Sequence, residues 1–195
     1  KTITINNYLD WYLDGNKLWT MTLNTSSQEY IITKDALGFA SSFAQIKTTR
    51  PNTNKSEYEL LYTKNDTVLL RQTELSRMLL VNSNNKYSIS GNNYYISPYS
   101  DWWLIWTPWE LWTYIEGSAP ELQNRSGETL QTVVPLDEYN ALALMWKDKT
   151  DVLFPYYLVS HNLIDAPTND IAADSKNRNL YFTKTNQNGL WVLNY

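Results

Sequence analysis

The sequence predicts an all-β or mostly β protein, an antiparallel sandwich or barrel-like sheet with one or two short helices. Two observations carry this. Short runs of β-branched and aromatic residues recur from one end to the other, and clusters of Asn, Gly and Ser separate them. With 43% hydrophobic and 18% charged residues in a chain of 195, the composition is that of a folded protein, and the length suits one sizeable core, a single domain over 1–195.

The first element is a hairpin. "YLDWYL" and "KLWTMTL" flank Asp14-Gly15-Asn16, whose DG pair supplies the positive φ that a tight turn needs. Alternation puts Leu18, Thr20 and Thr22 opposite Trp19, Met21 and Leu23. A strand "EYIIT" follows at 29–33. In "KDALGFASSFAQIK", Phe39, Phe43 and Ile46 are spaced by four and three, which predicts a short helix near 35–46 despite Gly38. Strands are then expected at 58–62, 67–71, 75–81, 86–90 and 94–97, with "NSNN" and "GNN" as polar turns.

"WWLIW" at 102–106 and "LWTYI" at 111–115 are the next strands. Between them, Thr107-Pro108-Trp109-Glu110 matches a capping box with Pro at the first helical position, and so predicts a helical turn. "TLQTVV" at 129–134 reads as a strand. "PLDEYNALALMWK" carries helix boundary signals in Pro135, Asp137, Glu138 and Lys147, while the alternation of Leu142, Leu144 and Trp146 supports a strand equally. "VLFPYYLVS" at 152–160 reads as an edge or bulged strand, because Pro155 cannot donate to a ladder. The polar stretch 165–179 is expected to be a surface loop, with strands at 180–184 and 190–195 closing the chain. No internal repeat at a fixed spacing is visible, which sets propeller and solenoid readings aside.

A net charge of −4 and a pI near 5.0, with no basic stripe, argue against nucleic acid as a partner. No apolar stretch approaches the roughly 20 residues of a spanning helix, so membrane insertion is not expected. The start at Lys1 without Met gives the expectation of an excised or processed fragment. Without cysteine there is no disulfide framework, thiolate nucleophile or Cys-based zinc site. His161 is the only histidine, which leaves one candidate general base and no multi-histidine metal cluster. "DKTD" at 148–151 is a polar turn rather than a calcium loop, and neither a metal nor any other cofactor is expected. The GxSxG, P-loop and GxGxxG patterns are all missing.

Five of the nine tryptophans fall within "SDWWLIWTPWELWTYIEGSAP", residues 100 to 120. On a strand, Trp102 and Trp106 share a face that excludes Trp103, so both faces carry an indole and at least one ring is either exposed or covered by a further layer. A buried indole is expected to find a partner for its N–H. Exposed, such rings suit carbohydrate: the apolar face of a pyranose lies on the ring while polar groups bond its hydroxyls. The expected ligand contacts are Trp102, Trp109, Trp112, Tyr95 and Tyr99 by stacking, and Arg125 as a donor to hydroxyls or a carboxylate. Two alternatives stand beside this. Asp101, Glu110 and Glu116 flank the rings and could serve glycoside hydrolysis, with the aromatic wall raising a carboxyl pKa by desolvation. Tryptophan clusters also mark protein–protein contacts.

Residues Trp112-Thr113-Tyr114-Ile115-Glu116-Gly117-Ser118-Ala119-Pro120 resemble the Trp-Thr-aromatic strand, Gly-containing turn and Pro of rotavirus spike heads. The turn is one residue longer here, and the five-tryptophan cluster is additional. The resemblance implies a divergent, non-group-A relative: a non-enzymatic, β-rich attachment domain on the outer capsid of the virion. It would act at the host-cell exterior, with host-cell glycan and the rest of the spike protein as partners. Tyr156 and Tyr157 resemble paired tyrosines near the sugar site of some such heads.

Overall fold

The computed structural model describes residues 8–36, 39–48, 56–72, 74–98, 100–137 and 141–195. They form five antiparallel sheets, each a meander in which consecutive strands pair. The first sheet contains β1 (Tyr8–Asp14), β2 (Lys17–Asn24), β3 (Glu29–Ala36) and β4 (Phe39–Lys47). The second contains β5 (Tyr58–Lys64), β6 (Thr67–Gln72), β7 (Arg77–Asn82) and β8 (Lys86–Ser90). The third contains β9 (Asn93–Ile96), β10 (Trp102–Trp106), β11 (Glu110–Ile115) and β12 (Glu121–Arg125). The fourth contains β13 (Thr132–Pro135), β14 (Leu142–Met145), β15 (Thr150–Phe154) and β16 (Val159–Ile164), and the fifth β17 (Thr168–Asp174), β18 (Asn179–Lys184) and β19 (Trp191–Asn194). The protein is therefore all-β.

Two compact units divide the chain, residues 1–92 and 93–195. In the first, Trp19, Met21, Tyr30 and Ile32 of the first sheet meet Leu60, Val68, Leu70 and Val81 of the second. Trp19 is fully buried, with Phe43 edge-on at 4.8 Å, and Tyr30 makes a similar contact with Tyr58 at 5.3 Å. In the second unit, Trp102, Leu104, Trp106 and Leu111 pack on Val133, Leu142, Leu144 and Trp146. Behind these, Ala143 and Ile164 meet Leu180 and Phe182 of the fifth sheet. The strands β10 and β14 are buried on both faces and read as continuous apolar runs, as does Val68–Leu70 of β6.

The hairpins follow their turn chemistry. Gly15 adopts φ +58° between β1 and β2, and Asn65 takes φ +52° between β5 and β6. In "NSNN", Asn82 Oδ1 accepts from the N–H groups of Asn84 and Asn85, an Asx turn.

Several expectations are corrected. The described residues of 35–46 form no helix: they belong to the antiparallel strands β3 and β4. Their register steps from Ile32–Ala44 to Thr33–Ser42, leaving Phe43 as the extra residue of a bulge. A bulge lengthens the alternation locally, and that produced the helix-like spacing of Phe43 and Ile46, while Phe39 is 82% exposed. The helical turn at 107–110 is instead a hairpin loop. Thr107 Oγ1 does accept from Trp109 N–H at 3.1 Å and Glu110 N–H at 3.0 Å, but Thr107 N–H bonds the Glu110 carbonyl and closes the β10–β11 ladder. Within 135–147 the alternation prevails, since Leu142 and Leu144 are in β14; Glu138 lies outside the described residues.

Pro155 does not sit in one bulged strand. It opens a 3-10 turn, Pro155–Tyr157, that separates β15 from β16 and ends on Leu158 at φ +52°. The stretch 165–179 holds β17, whose polar composition disguised a strand paired in register with Leu180 and Phe182 of β18. The repeat that the sequence hides is present in the backbone. Successive sheets begin at Tyr8, Tyr58, Asn93, Thr132 and Thr168, intervals too unequal to register as a period.

Candidate functional site

The third sheet carries the tryptophan cluster and sorts it by depth. Cross-strand pairing sets Trp102 opposite Ile115, Trp103 opposite Tyr114 and Trp106 opposite Leu111. Trp102 is 5%, Trp103 1% and Trp106 7% exposed, so both faces of β10 are covered. Trp103 meets the Tyr114 ring edge-on at 5.8 Å. Trp102, expected to stack on a ligand, is instead core, with neither ring face open. Tyr95, on the neighbouring strand β9, is half-buried against that core, and Tyr99 lies outside the described residues.

The remaining two rings sit at the hairpin end. Trp109 is at the tip of the β10–β11 loop and 51% exposed. The loop is rigidly tied, by the Thr107 bonds and by Ser126 N–H donating to the Trp109 carbonyl at 3.0 Å. Trp112 is half-buried and donates its indole N–H to Glu110 Oε2 at 3.2 Å. The other oxygen, Glu110 Oε1, accepts from Arg125 Nη2 at 2.7 Å and Nε at 3.0 Å. Glu110 and Arg125 are register partners across β11 and β12, which is why the fork closes here. Beside them Leu122, opposite Trp112, is 37% exposed. The site is thus a projecting indole on the loop that leads into β11, whose own indole is held by a carboxylate–guanidinium pair. Trp109, Trp112 and Arg125 come together in this hairpin region as expected residues; Leu122 and the bracing role of Glu110 were not foreseen. The signal for Glu110 was its position one residue before the apolar run of β11, which fixes the direction of its side chain only once the partner strand is known.

Of the three carboxylates of the hydrolase alternative, Asp101 and Glu116 lie together at one end of β11 and Glu110 lies at the other. Glu110 opens β11, and Glu116 follows its other end, where Glu116 N–H meets the Asp101 carbonyl. Six residues of strand separate the two glutamates by about 20 Å, well beyond the roughly 5–9.5 Å that glycosidic carboxylates span. His161 is exposed on β16, its ring 6.3 Å from Phe154. Among the described residues no group of three or more His, Asp or Glu could hold a metal ion, and no helix is long and apolar enough to cross a membrane.

A second aromatic prominence lies on the 3-10 turn. Tyr156 and Tyr157 are 84% and 71% exposed and meet edge to face at 5.0 Å, with Leu158 exposed after them. The left-handed backbone at Leu158 costs on the order of 1 kcal/mol, and Leu158 N–H closes the turn on the Pro155 carbonyl at 3.2 Å.

No protein-family model matches the sequence, and no curated protein matches it. Solved structures do. The Cps50 (Swd1) β-propeller domain of Myceliophteria thermophila is similar at a TM-score of 0.53 and 10% identity, over 89% of this chain and 65% of that one. The chain thus spans about two thirds of that domain. Hsv2p of Kluyveromyces lactis scores 0.49 at 9% identity over 97% of this chain and 75% of that one. A chain of a nidogen/laminin complex scores 0.47 at 11% identity, covering 96% and 75%. At these identities the likeness concerns fold alone, and the Cps50 domain carries it: propellers are built from successive four-stranded meanders of the kind described above. The propeller reading that the missing sequence period had set aside is therefore restored as a likeness of fold. None of these comparisons bears on spike heads.

Proposed function

We propose that this chain is a non-catalytic recognition module that binds a partner protein through the β10–β11 hairpin end of its third sheet. The observation that carries the reading is the half-open indole of Trp109, on a loop fixed by four hydrogen bonds from Thr107, Ser126 and the ladder. A rigid exposed tryptophan loses little entropy on docking, and Trp, Tyr and Arg are the residue types that dominate binding energy at protein interfaces. The Glu110–Arg125 pair at its flank leaves the guanidinium 66% exposed for a polar rim contact. A fold built from propeller-type meanders agrees with a scaffold role.

The test is selection from a displayed library of protein fragments with wild-type chain and Trp109→Ala as parallel baits. Binders enriched by the first and lost with the second support the reading; enrichment indifferent to Trp109 ends it. A second reading is kept because an open indole beside Asn124 and Arg125 also suits a pyranose. In that case the chain is a glycan-attachment domain, as the spike-head resemblance implies. A glycan array probed with the same two proteins separates them, since a Trp109-dependent sugar signal with no protein binders favours attachment to host glycans.

A further inference from the structure

Within the first unit, a groove runs between the outer strands of the first and second sheets. It consists of two cavities, about 760 and 340 Å³, both lined by Gln45 and Lys86. Lys86 Nζ donates to the Gln45 carbonyl where they meet. Residues 42 to 47 of β4 form one wall without a break, a length of about 20 Å, equivalent to six residues of extended chain.

Two features of this groove specify an occupant. Its larger part sets Lys47, Arg77 and Lys86 against the single carboxylate of Glu29, over a floor that includes Tyr58 and Leu79, in a protein whose net charge is −4. Its wall is an edge: β4 ends the order of the first sheet, and no further strand pairs with it among the described residues. Edge strands normally carry charge that blocks pairing, yet β4 has none from Phe39 to Ile46, and Phe39 to Ser42 are exposed.

We propose that this groove receives an extended acidic segment of a partner protein, added as a fifth strand alongside β4, with its carboxylates facing Lys47, Arg77 and Lys86. Backbone pairing to the edge supplies affinity, and the basic side chains select acidic sequences. This site is independent of Trp109, and its failure leaves the preceding reading untouched.

The probe is a fluorescein-labelled octapeptide alternating Glu with Val, read by polarisation. Saturable binding that weakens with salt is expected, together with at least tenfold weaker binding by Arg77→Glu/Lys86→Glu, tighter binding by Glu29→Gln, and no change with Trp109→Ala. Both charge reversals are on exposed side chains, and a matching thermal midpoint establishes that the variant is folded. A second peptide, N-methylated at alternate residues so that one edge loses its donors, is expected to bind at least tenfold more weakly than the parent. Equal binding of a Lys/Val peptide, or indifference to charge reversal, overturns the charge selection. Equal binding of the methylated peptide on both possible edges overturns strand addition.

Discussion

Trp106→Phe should destabilise the second unit far less than the burial of the ring suggests. Trp106 is 7% exposed in the core between the third and fourth sheets, yet its Nε1 has no partner among the described residues, and the same holds for Trp19 and Trp146. The expectation that a buried indole finds a partner fails at these three rings. Truncating a buried Trp to Ala costs about 3–5 kcal/mol. Replacement by Phe keeps most of that apolar contact and forfeits about 1–2 kcal/mol of packing, taken as the share of the second ring. Against this stands the desolvated donor, whose removal returns about 1–3 kcal/mol. The two nearly cancel, so Trp106→Phe should fall within about 1 kcal/mol of wild type while Trp106→Ala loses about 3–5 kcal/mol. Urea unfolding followed by far-UV circular dichroism measures both, the comparison resting on the midpoint at unchanged slope. A Phe variant as damaged as the Ala variant would refute the reasoning, because the donor would then have been satisfied in the native state.

Leu144→Ala, at a fully buried position of β14, should lose about 2–5 kcal/mol in the same assay, and a loss below about 1 kcal/mol would contradict the packing described. Arg125→Ala should change stability by less than about 1 kcal/mol, because the guanidinium is largely exposed; a cooperative loss of several would show the pair to be structural. Tyr58 has its phenol pKa raised above 10.0 by burial first, then by Glu57 and Tyr30. The folded state therefore prefers the neutral ring, and its contribution is complete below the ordinary value and falls away as pH climbs through the higher folded value. Tyr58→Phe should flatten alkaline unfolding in that window. Asp174 is lowered from 3.8, chiefly by the Asn177 side chain and backbone, so its contribution holds above that value and is lost as pH falls through the lower one. Asn177→Ala should move its NMR titration back upward.

The sequence made the local elements legible wherever alternation and turn chemistry agreed. Asp14-Gly15 fixed the first hairpin, and the runs at 67–71 and 102–106 announced strands. It misled where a strand departs from strict alternation, as at Phe43, or where a strand is polar in composition, as is β17, which pairs in register with Leu180 and Phe182 of β18. The site was half legible for the same reason. A run such as "WWLIW" states that indoles point both ways, but whether a second layer covers the far side depends on residues distant in the chain. Trp102 and Trp109 therefore looked alike, and only the hairpin geometry separates a core ring from a displayed one. The serial arrangement of sheets left no period because the loops between meanders differ in length.

The most direct test of this account is the solvent accessibility of each indole in 5-fluorotryptophan-labelled protein, with the nine fluorine signals assigned by single Trp→Phe replacement and broadened by a soluble paramagnetic probe. Trp109 should broaden strongly with Trp11 and Trp191, at 51%, 57% and 42% exposure, while Trp102, Trp103 and Trp106 stay sharp. A sharp Trp109 signal beside broadened Trp102, Trp103 or Trp106 would contradict both the described packing of the third sheet and the binding face proposed on it.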